Sequence, residues 1–344
     1  MSWLQDGLRK WKAYPALLRL KKIPFYARAY AGGANDKRSF CAAPWTETSV
    51  LCDGTVVCTC YDALKTMPLG TIQTQSFREI WEGTPYRRLR KAVLKNAEKV
   101  YLCSSCCFRE ECPCENELQE TFPVVPEAFP KVLQVEPTVR CNLNCLACGN
   151  DLAKASRSIT DLPFDVYTRL IDEVGPHVQQ INFYDYGEAF LHPRAVDMIA
   201  YAKKVNPDVY IYCTTNGHFF QTREKQQAVI ESGLDELIFS VDGASQETYA
   251  RYRVNGRFDV VLKAMREMIA LRNDLGRSTP AIKWRYILFT WNDSDEEMDK
   301  ARQLAREIGV DKLGWLLTRS PEDGYSRRFL PGTPDFETIK DDLL

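Results

Sequence analysis

From residue 131 onward the chain alternates between two hydrophobic periods. Apolar runs rich in β-branched and aromatic residues fall at 132–139, 179–186, 208–213, 236–241, 281–289 and 312–317. Helical patterns occupy 163–174, 193–205, 222–232, 245–273 and 294–308 between them. Six strands separated by helices pair in parallel, with the helices covering the sheet. Gly233 and Gly309 stand just past the third and last helices, where a left-handed C′ residue is expected. Six units over about 190 residues fall short of the ~250 residues of a complete eight-unit barrel. The expected fold class is therefore α/β, a partial (β/α)6 TIM-like barrel, with its chemistry on the loops that follow the strands.

The segment 121–130, TFPVVPEAFP, carries Pro123, Pro126 and Pro130 and reads as an extended linker. It divides the chain into a basic aromatic arm (1–35), a cysteine-rich module (36–120), the linker, the barrel (131–318) and a tail (319–344). The arm holds seven Lys/Arg against one acid and six aromatics. Its aromatics are expected to pack on the body, the alternative being a membrane surface or an acidic partner. The whole chain, 344 residues with net charge −1, gives no reason to expect nucleic-acid binding. No apolar run approaches the ~18 residues of a membrane span.

Thirteen cysteines against three histidines are the compositional outlier. Arg9, Lys10 and Lys12 interrupt the early apolar residues, so no signal peptide is read and a cytoplasmic chain is expected. Thiols stay reduced there, and clustered cysteines point to metal binding or catalysis. Nine lie between Cys41 and Cys114, three are Cys141, Cys145 and Cys148, and Cys213 stands apart. Three thiolates within eight residues, directly after the first barrel strand, suit an iron–sulfur cluster with one open iron. A structural zinc site that borrows a fourth ligand has the same spacing.

The ordered motifs narrow this choice. The CxxxCxxC of Cys141, Cys145 and Cys148 is followed by Tyr186-Gly187-Glu188-Ala189, Thr215-Asn216-Gly217 and Ser240-Val241-Asp242-Gly243 with Glu247, Tyr249 and Arg253, then Arg285 and Asn292. In that order they resemble the radical S-adenosylmethionine (radical SAM) superfamily over about residues 131–318. The resemblance implies that the three cysteines ligate a [4Fe–4S] cluster whose open iron binds SAM. It also implies that Gly187 and Glu188 meet the SAM amino group, with Ser240 at its carboxylate or ribose. Reduction then releases a 5′-deoxyadenosyl radical, chemistry carried by the cofactor and shielded by the protein. Two positions depart from the family: Ala147 stands where a bulky residue often holds adenine, and YGEA replaces GGEP.

The front module, with CAAPW (41–45), DGTVVCTCYD (53–62), PLGTIQTQSFREIW (68–81) and LCSSCCFREECPC (102–114), resembles the family's SPASM-type auxiliary-cluster domain. That module usually follows the barrel; here it precedes it. The resemblance implies an auxiliary [4Fe–4S] cluster on Cys41, Cys103, Cys106 and one of Cys58 or Cys60. Cys52, Cys107, Cys112, Cys114 and the unused cysteine remain for a second cluster, with Cys112 and Cys114 as its foremost candidates. A zinc knuckle at Cys103 and Cys106 is the competing reading.

The implied reaction is hydrogen abstraction from a small polar, carbohydrate-like metabolite, followed by epimerisation or oxidation; the alternative is a peptide or protein maturase. A flavodoxin- or ferredoxin-type protein is the expected electron donor. Cys213 is the candidate hydrogen donor if its face of the third strand looks into the barrel, and a buried small hydrophobe if it does not. His192 and His218 are candidates for substrate contact, and His177 is expected to be structural. Arg319, Tyr325, Arg327 and Arg328 in the tail are candidates to bind an anionic substrate such as a nucleotide-linked sugar; a solvated extension is the plainer expectation.

Overall fold

All six apolar runs form strands, and residues of the front module add to their sheet. The computed structural model describes residues 39–59, 62, 64–101, 103, 110–111 and 122–344. In chain order the strands are β1 (Ser39–Phe40), β2 (Glu47–Val50), β3 (Thr55–Val57), β4 (Gly70–Thr71), β5 (Glu110–Glu111), β6 (Val132–Val135), β7 (Gln180–Phe183), β8 (Tyr210–Thr215), β9 (Glu236–Ser240), β10 (Ala281–Ile287) and β11 (Lys312–Leu316). Strands β6 to β11 lie side by side in sequence order, each parallel to the next. The arm and Cys60, Cys106, Cys107, Cys112 and Cys114 fall outside the described residues.

The crossover helices form where the apolar period is three to four. Thr222 and Ser294 cap two of them by accepting from Lys225 N and Glu297 N. Gly233 and Gly309 take left-handed φ values of 87° and 81°. The helix expected over 245–273 is two helices, Gln246–Tyr252 and Phe258–Asp274. Asn255 sits at φ 69°, and a Cβ on Gly256 would lie 2.6 Å from the Tyr249 ring. The Asn-Gly pair is a turn signal that the flanking helical period concealed.

The cysteine-rich module shares the barrel's sheet. β2 runs parallel to β6, from Glu47 against Val132 to Val50 against Val135, and β3 and β4 continue antiparallel beyond it. A barrel residue also caps a module helix, since Glu173 accepts from Phe77 N (2.7 Å) and Arg78 N (2.8 Å) at the start of Phe77–Trp81. The Pro-rich segment is strapped down as well. Trp45 Nε1 donates to Pro123 O (2.6 Å), Trp81 Nε1 to Ala128 O (3.0 Å) and Arg90 Nη1 to Val124 O (3.3 Å).

The tail departs from the expectation of a solvated extension. Leu344 N donates to Trp315 O at 2.9 Å and Leu343 bridges Trp315 in parallel, so the last residues line the outer edge of β11. Arg328 donates to Asp335 (2.8 Å), Asp295 (2.6 Å) and the Asp293 carbonyl (2.9 Å). These contacts tie Arg328 to structural partners, which corrects its assignment to an anionic substrate.

Arg90 organises the module. Fully buried, it donates to the carbonyls of Pro44 (3.0 Å) and Trp81 (2.7 Å) and lies over the rings of Trp81 and Tyr86 at 4.3 and 4.7 Å. Burial pulls its pKa down to about 10, against the opposing influence of Tyr86 and Cys58. Arg90→Met leaves those carbonyls unpaired and is expected to cost about 2–4 kcal/mol, read as a lower urea midpoint at unchanged slope.

Candidate functional site

The two faces of the barrel sheet differ in chemistry. Register places Gln134 beside Asn182, Asn182 beside Tyr212, and Tyr212 beside Glu236 on one face. Tyr184 and Tyr212 share a hydrogen bond at 2.7 Å, and Glu236 accepts from Tyr210 at 2.5 Å and pairs with Lys283. The other face carries Leu133, Ile181 and Ile211 in one row and Cys213, Leu237 and Ile282 in another. Helices and loops cover it: Tyr167 packs on Phe183 (6.5 Å) and Phe220 on Phe239 (5.7 Å). The polar face therefore lines the barrel interior.

Cys213 consequently points away from the interior. It is fully buried on the apolar face, and that burial, with Glu188 nearby, holds its thiol well above the usual range. The structure corrects its assignment as hydrogen donor: it packs as a small hydrophobe.

Cys141, Cys145 and Cys148 lie on the loop between β6 and the helix Asn150–Ser156. Asn144 N donates to Val254 O (3.2 Å) and Leu146 N to Tyr252 O (2.9 Å), which clamps the loop to the break between the two helices. Asn150 Nδ2 donates to Val139 O and Tyr186 O, both at 2.8 Å, and holds the exits of β6 and β7 together. Those exits nearly touch at Gly187, where a Cβ would lie 2.0 Å from Thr138 O. Only glycine permits that approach.

Glu188 is buried and bridges to the third strand. Its Oε1 accepts from Thr215 Oγ1 and its Oε2 from Asn216 N, both at 2.7 Å. Burial raises its pKa, and those two hydrogen bonds oppose the rise. Asn216 in turn donates to Asn142 Oδ1 (2.8 Å) and faces Cys141 Sγ at 3.8 Å. The YGEA, TNG and CxxxCxxC segments thus form one hydrogen-bonded unit.

The fourth and fifth strands close the site. Asp242 accepts from Arg253 Nε (2.5 Å) and Ile287 N (2.7 Å), and Arg253 Nη1 reaches Cys145 Sγ at 3.6 Å. Arg285 Nη2 donates to Ser240 Oγ at 2.6 Å, and among the described residues Arg285 has no carboxylate partner. Asn292 ties the ends together by donating to Asp242 O and Ile287 O, each at 3.0 Å. Burial raises the Cys141 and Cys145 thiols, and at Cys145 the Arg253 guanidinium opposes that rise. Three thiols with N–H donors aimed at two of them, beside an exit too close for a side chain, fit a thiolate-held cluster.

Sequence reasoning missed two interior residues, Gln134 and Asp185, and named a third, Arg285, without a role in the interior. Gln134 Nε2, Asp185 Oδ2 and Arg285 Nε are buried without a hydrogen-bond partner; of these, the sequence singled out Arg285 only as part of a motif. Asp185 lies near the buried ion pair of Glu136 with Arg157 (2.7 Å). An acid inside the apolar run 179–186 was the available signal for it. Two of the histidines bond to backbone: His192 Nε2 lies 3.0 Å from Leu162 O and its Nδ1 accepts from Arg194 N at 3.0 Å, and His218 Nε2 accepts from Arg257 N at 2.9 Å. Cys52 is fully buried; burial, then Glu136, raises its thiol, which donates to Ile159 O at 3.3 Å. Of the expected auxiliary ligands, Cys41 is buried and Cys58 and Cys103 are partly buried.

Residues 135–309, half of the chain, match the family described as the Radical SAM superfamily. The chain belongs to the radical SAM superfamily. Residues 41–107 match the SPASM iron–sulfur cluster-binding domain, which here precedes the radical SAM barrel. The cofactors of these two units are SAM, the [4Fe–4S] cluster that binds it, and auxiliary iron–sulfur clusters. Among curated relatives, the chain is 27% identical over 199 residues to a tungsten-containing aldehyde ferredoxin oxidoreductase cofactor-modifying protein of Pyrococcus furiosus, covering 56% of this chain and 53% of that one. It is 26% identical over 182 residues to an AdoMet-dependent heme synthase of Methanosarcina barkeri, covering 53% and 48%. The chain thus spans about half the length of these relatives. A structure of Streptococcus suis SuiB bound to S-adenosylmethionine superposes with TM-score 0.45 at 12% identity, over 78% of this chain and 61% of that one. No described helix is long and apolar enough to cross a membrane.

Two outcomes test this radical SAM site. Gly187→Ala drives a methyl into the Thr138 carbonyl and is expected to cost about 3 kcal/mol, read by urea unfolding. Asp185 has its pKa raised by burial and then by Glu136. The unfolded chain therefore releases this proton at lower pH than the fold does. Its contribution to stability is present below the ordinary carboxylate range and is lost as pH rises toward the raised value. Asp185→Asn should flatten the fall in stability that follows as pH rises above the ordinary carboxylate range.

Proposed function

We propose that this protein reductively cleaves SAM at a [4Fe–4S] cluster held by Cys141, Cys145 and Cys148, and abstracts hydrogen from a small polar, carbohydrate-like metabolite. The observation that carries the substrate class is the interior itself, where Gln134 Nε2 and Asp185 Oδ2 are buried without partners. Such atoms cost about 1–3 kcal/mol each when left unsatisfied, so a ligand rich in hydroxyl or amino groups is the natural complement. The cluster and SAM together supply the 5′-deoxyadenosyl radical. The protein's own residues bind, orient and shield.

Gly187 lets the β7 exit lie against β6, so the backbone there is presented at a fixed distance from the cysteine loop. Glu188 is anchored by Thr215 and Asn216, and its buried carboxylate suits the SAM amino group. Arg285, set by Ser240 and without an acidic partner among the described residues, suits the SAM carboxylate. Tyr184, Tyr212 and Asn182 face the interior and would orient the substrate.

Oxidation is favoured over epimerisation, because Cys213 lies on the helix-covered face and no thiol among the described residues is placed to return a hydrogen atom. A carbon whose hydrogen atom passes to the 5′-deoxyadenosyl radical needs no such donor if its radical then gives an electron to an oxidised auxiliary iron–sulfur cluster of the SPASM domain and a proton to a base or water. A flavodoxin- or ferredoxin-type protein would supply the reducing electron.

The decisive test is anaerobic reconstitution with iron and sulfide quantitation. About eight or twelve iron atoms per chain are expected, and replacing Cys141, Cys145 and Cys148 together by alanine should remove about four. The same variant should form no 5′-deoxyadenosine from SAM under reduction. Retention of all iron, or continued cleavage, would sink the ligand assignment.

A further inference from the structure

The cysteine loop makes one contact that holding a cluster does not require. Arg253 stands in the break between helices Gln246–Tyr252 and Phe258–Asp274, and its guanidinium spans two partners, Asp242 Oδ2 at 2.5 Å and Cys145 Sγ at 3.6 Å. Its side chain is largely buried, and that of Asp242 wholly so. The neighbouring carbonyls of Tyr252 and Val254 accept from Leu146 N and Asn144 N. Guanidinium and loop are therefore fixed to each other by backbone as well as by side chain. The matching donor at Cys141 is the neutral amide of Asn216, at 3.8 Å.

We propose that Arg253 is a positioning residue that sets the reduction potential of the SAM-binding cluster, by holding a positive charge and an N–H donor against the sulfur of Cys145. The inference rests on the assignment of Cys141, Cys145 and Cys148 as ligands. One electron from an external reductant adds one negative charge to the cluster, shared with its thiolate sulfurs. A cation and a hydrogen bond at one sulfur stabilise that charge, and both are levers on cluster potentials. Asp242 neutralises the guanidinium from the far side, so the pair presents its positive end to the cluster. Removing Arg253 disfavours reduction, whereas removing Asp242 leaves the charge uncompensated and favours it.

The test is an EPR-monitored redox titration of the reconstituted full chain with dithionite, read on the signal that SAM perturbs. R253Q is expected to make reduction ten- to a hundredfold less favourable, a downward shift of about 59 mV for each factor of ten. R253K, which keeps the charge, should stay within about threefold of the unsubstituted protein. D242A should shift the midpoint upward, a sign that simple loosening of the scaffold does not produce. An unchanged R253Q midpoint with full iron and sulfide overturns the proposal. If R253Q does not retain the cluster, D242A decides, and an unchanged or lower midpoint overturns it. Absence of any SAM-perturbed signal in the unsubstituted protein overturns the ligand assignment instead, and the proposal with it.

Discussion

The ion pair between Asp242 and Arg253 joins four parts of the chain that are far apart in sequence. Asp242 lies just past the fourth barrel strand and also accepts from Ile287 at the end of the fifth. Arg253 occupies a break between two helices and reaches the loop that carries Cys145. A buried pair of this kind is expensive to desolvate, and losing one partner typically costs about 3–5 kcal/mol. Here each group makes one further bond, Asp242 accepting from the backbone N–H of Ile287 and Arg253 donating to the Cys145 thiol. The arrangement therefore fixes the loop, the strand ends and the helix break with respect to one another.

A second constraint acts on the opposite side of the site. The exits of β6 and β7 approach until Gly187 leaves no room for a side chain beside Thr138. Glu188 then binds the end of the third strand, and Asn216 binds back to the cysteine loop. Three short motifs become one rigid rim because each supplies the acceptor or donor that its neighbour lacks. The interior below is polar, and the outer face is apolar beneath the helices, so the rim opens onto a polar surface.

The front module is part of the same construction. Its strand β2 pairs with β6, and Glu173 of the barrel caps one of its helices. The Pro-rich segment between module and barrel is pinned by Trp45, Trp81 and Arg90. Proline made that segment extended, as its fixed φ requires, but composition carried no information about the buried donors waiting to bind its carbonyls.

Much of this was readable before any coordinates. Alternating periods gave the six strands and their parallel order, and the spacing of Cys141, Cys145 and Cys148, with the motifs that follow in order, marked the site. Those features are local: a period decides which face is apolar, and a loop of eight residues keeps its thiols close whatever surrounds it. The side to which each strand face turns was not local. Cys213 has the same alternation whether it faces ligand or helix, and only packing under the helices decided that it is buried. The same holds for Arg328, drawn to Asp295 and Asp335, and for Asp185 and Gln134, left unpartnered in the interior. Sequence determines which chemistry each segment carries, whereas the direction in which that chemistry points depends on contacts between segments distant along the chain.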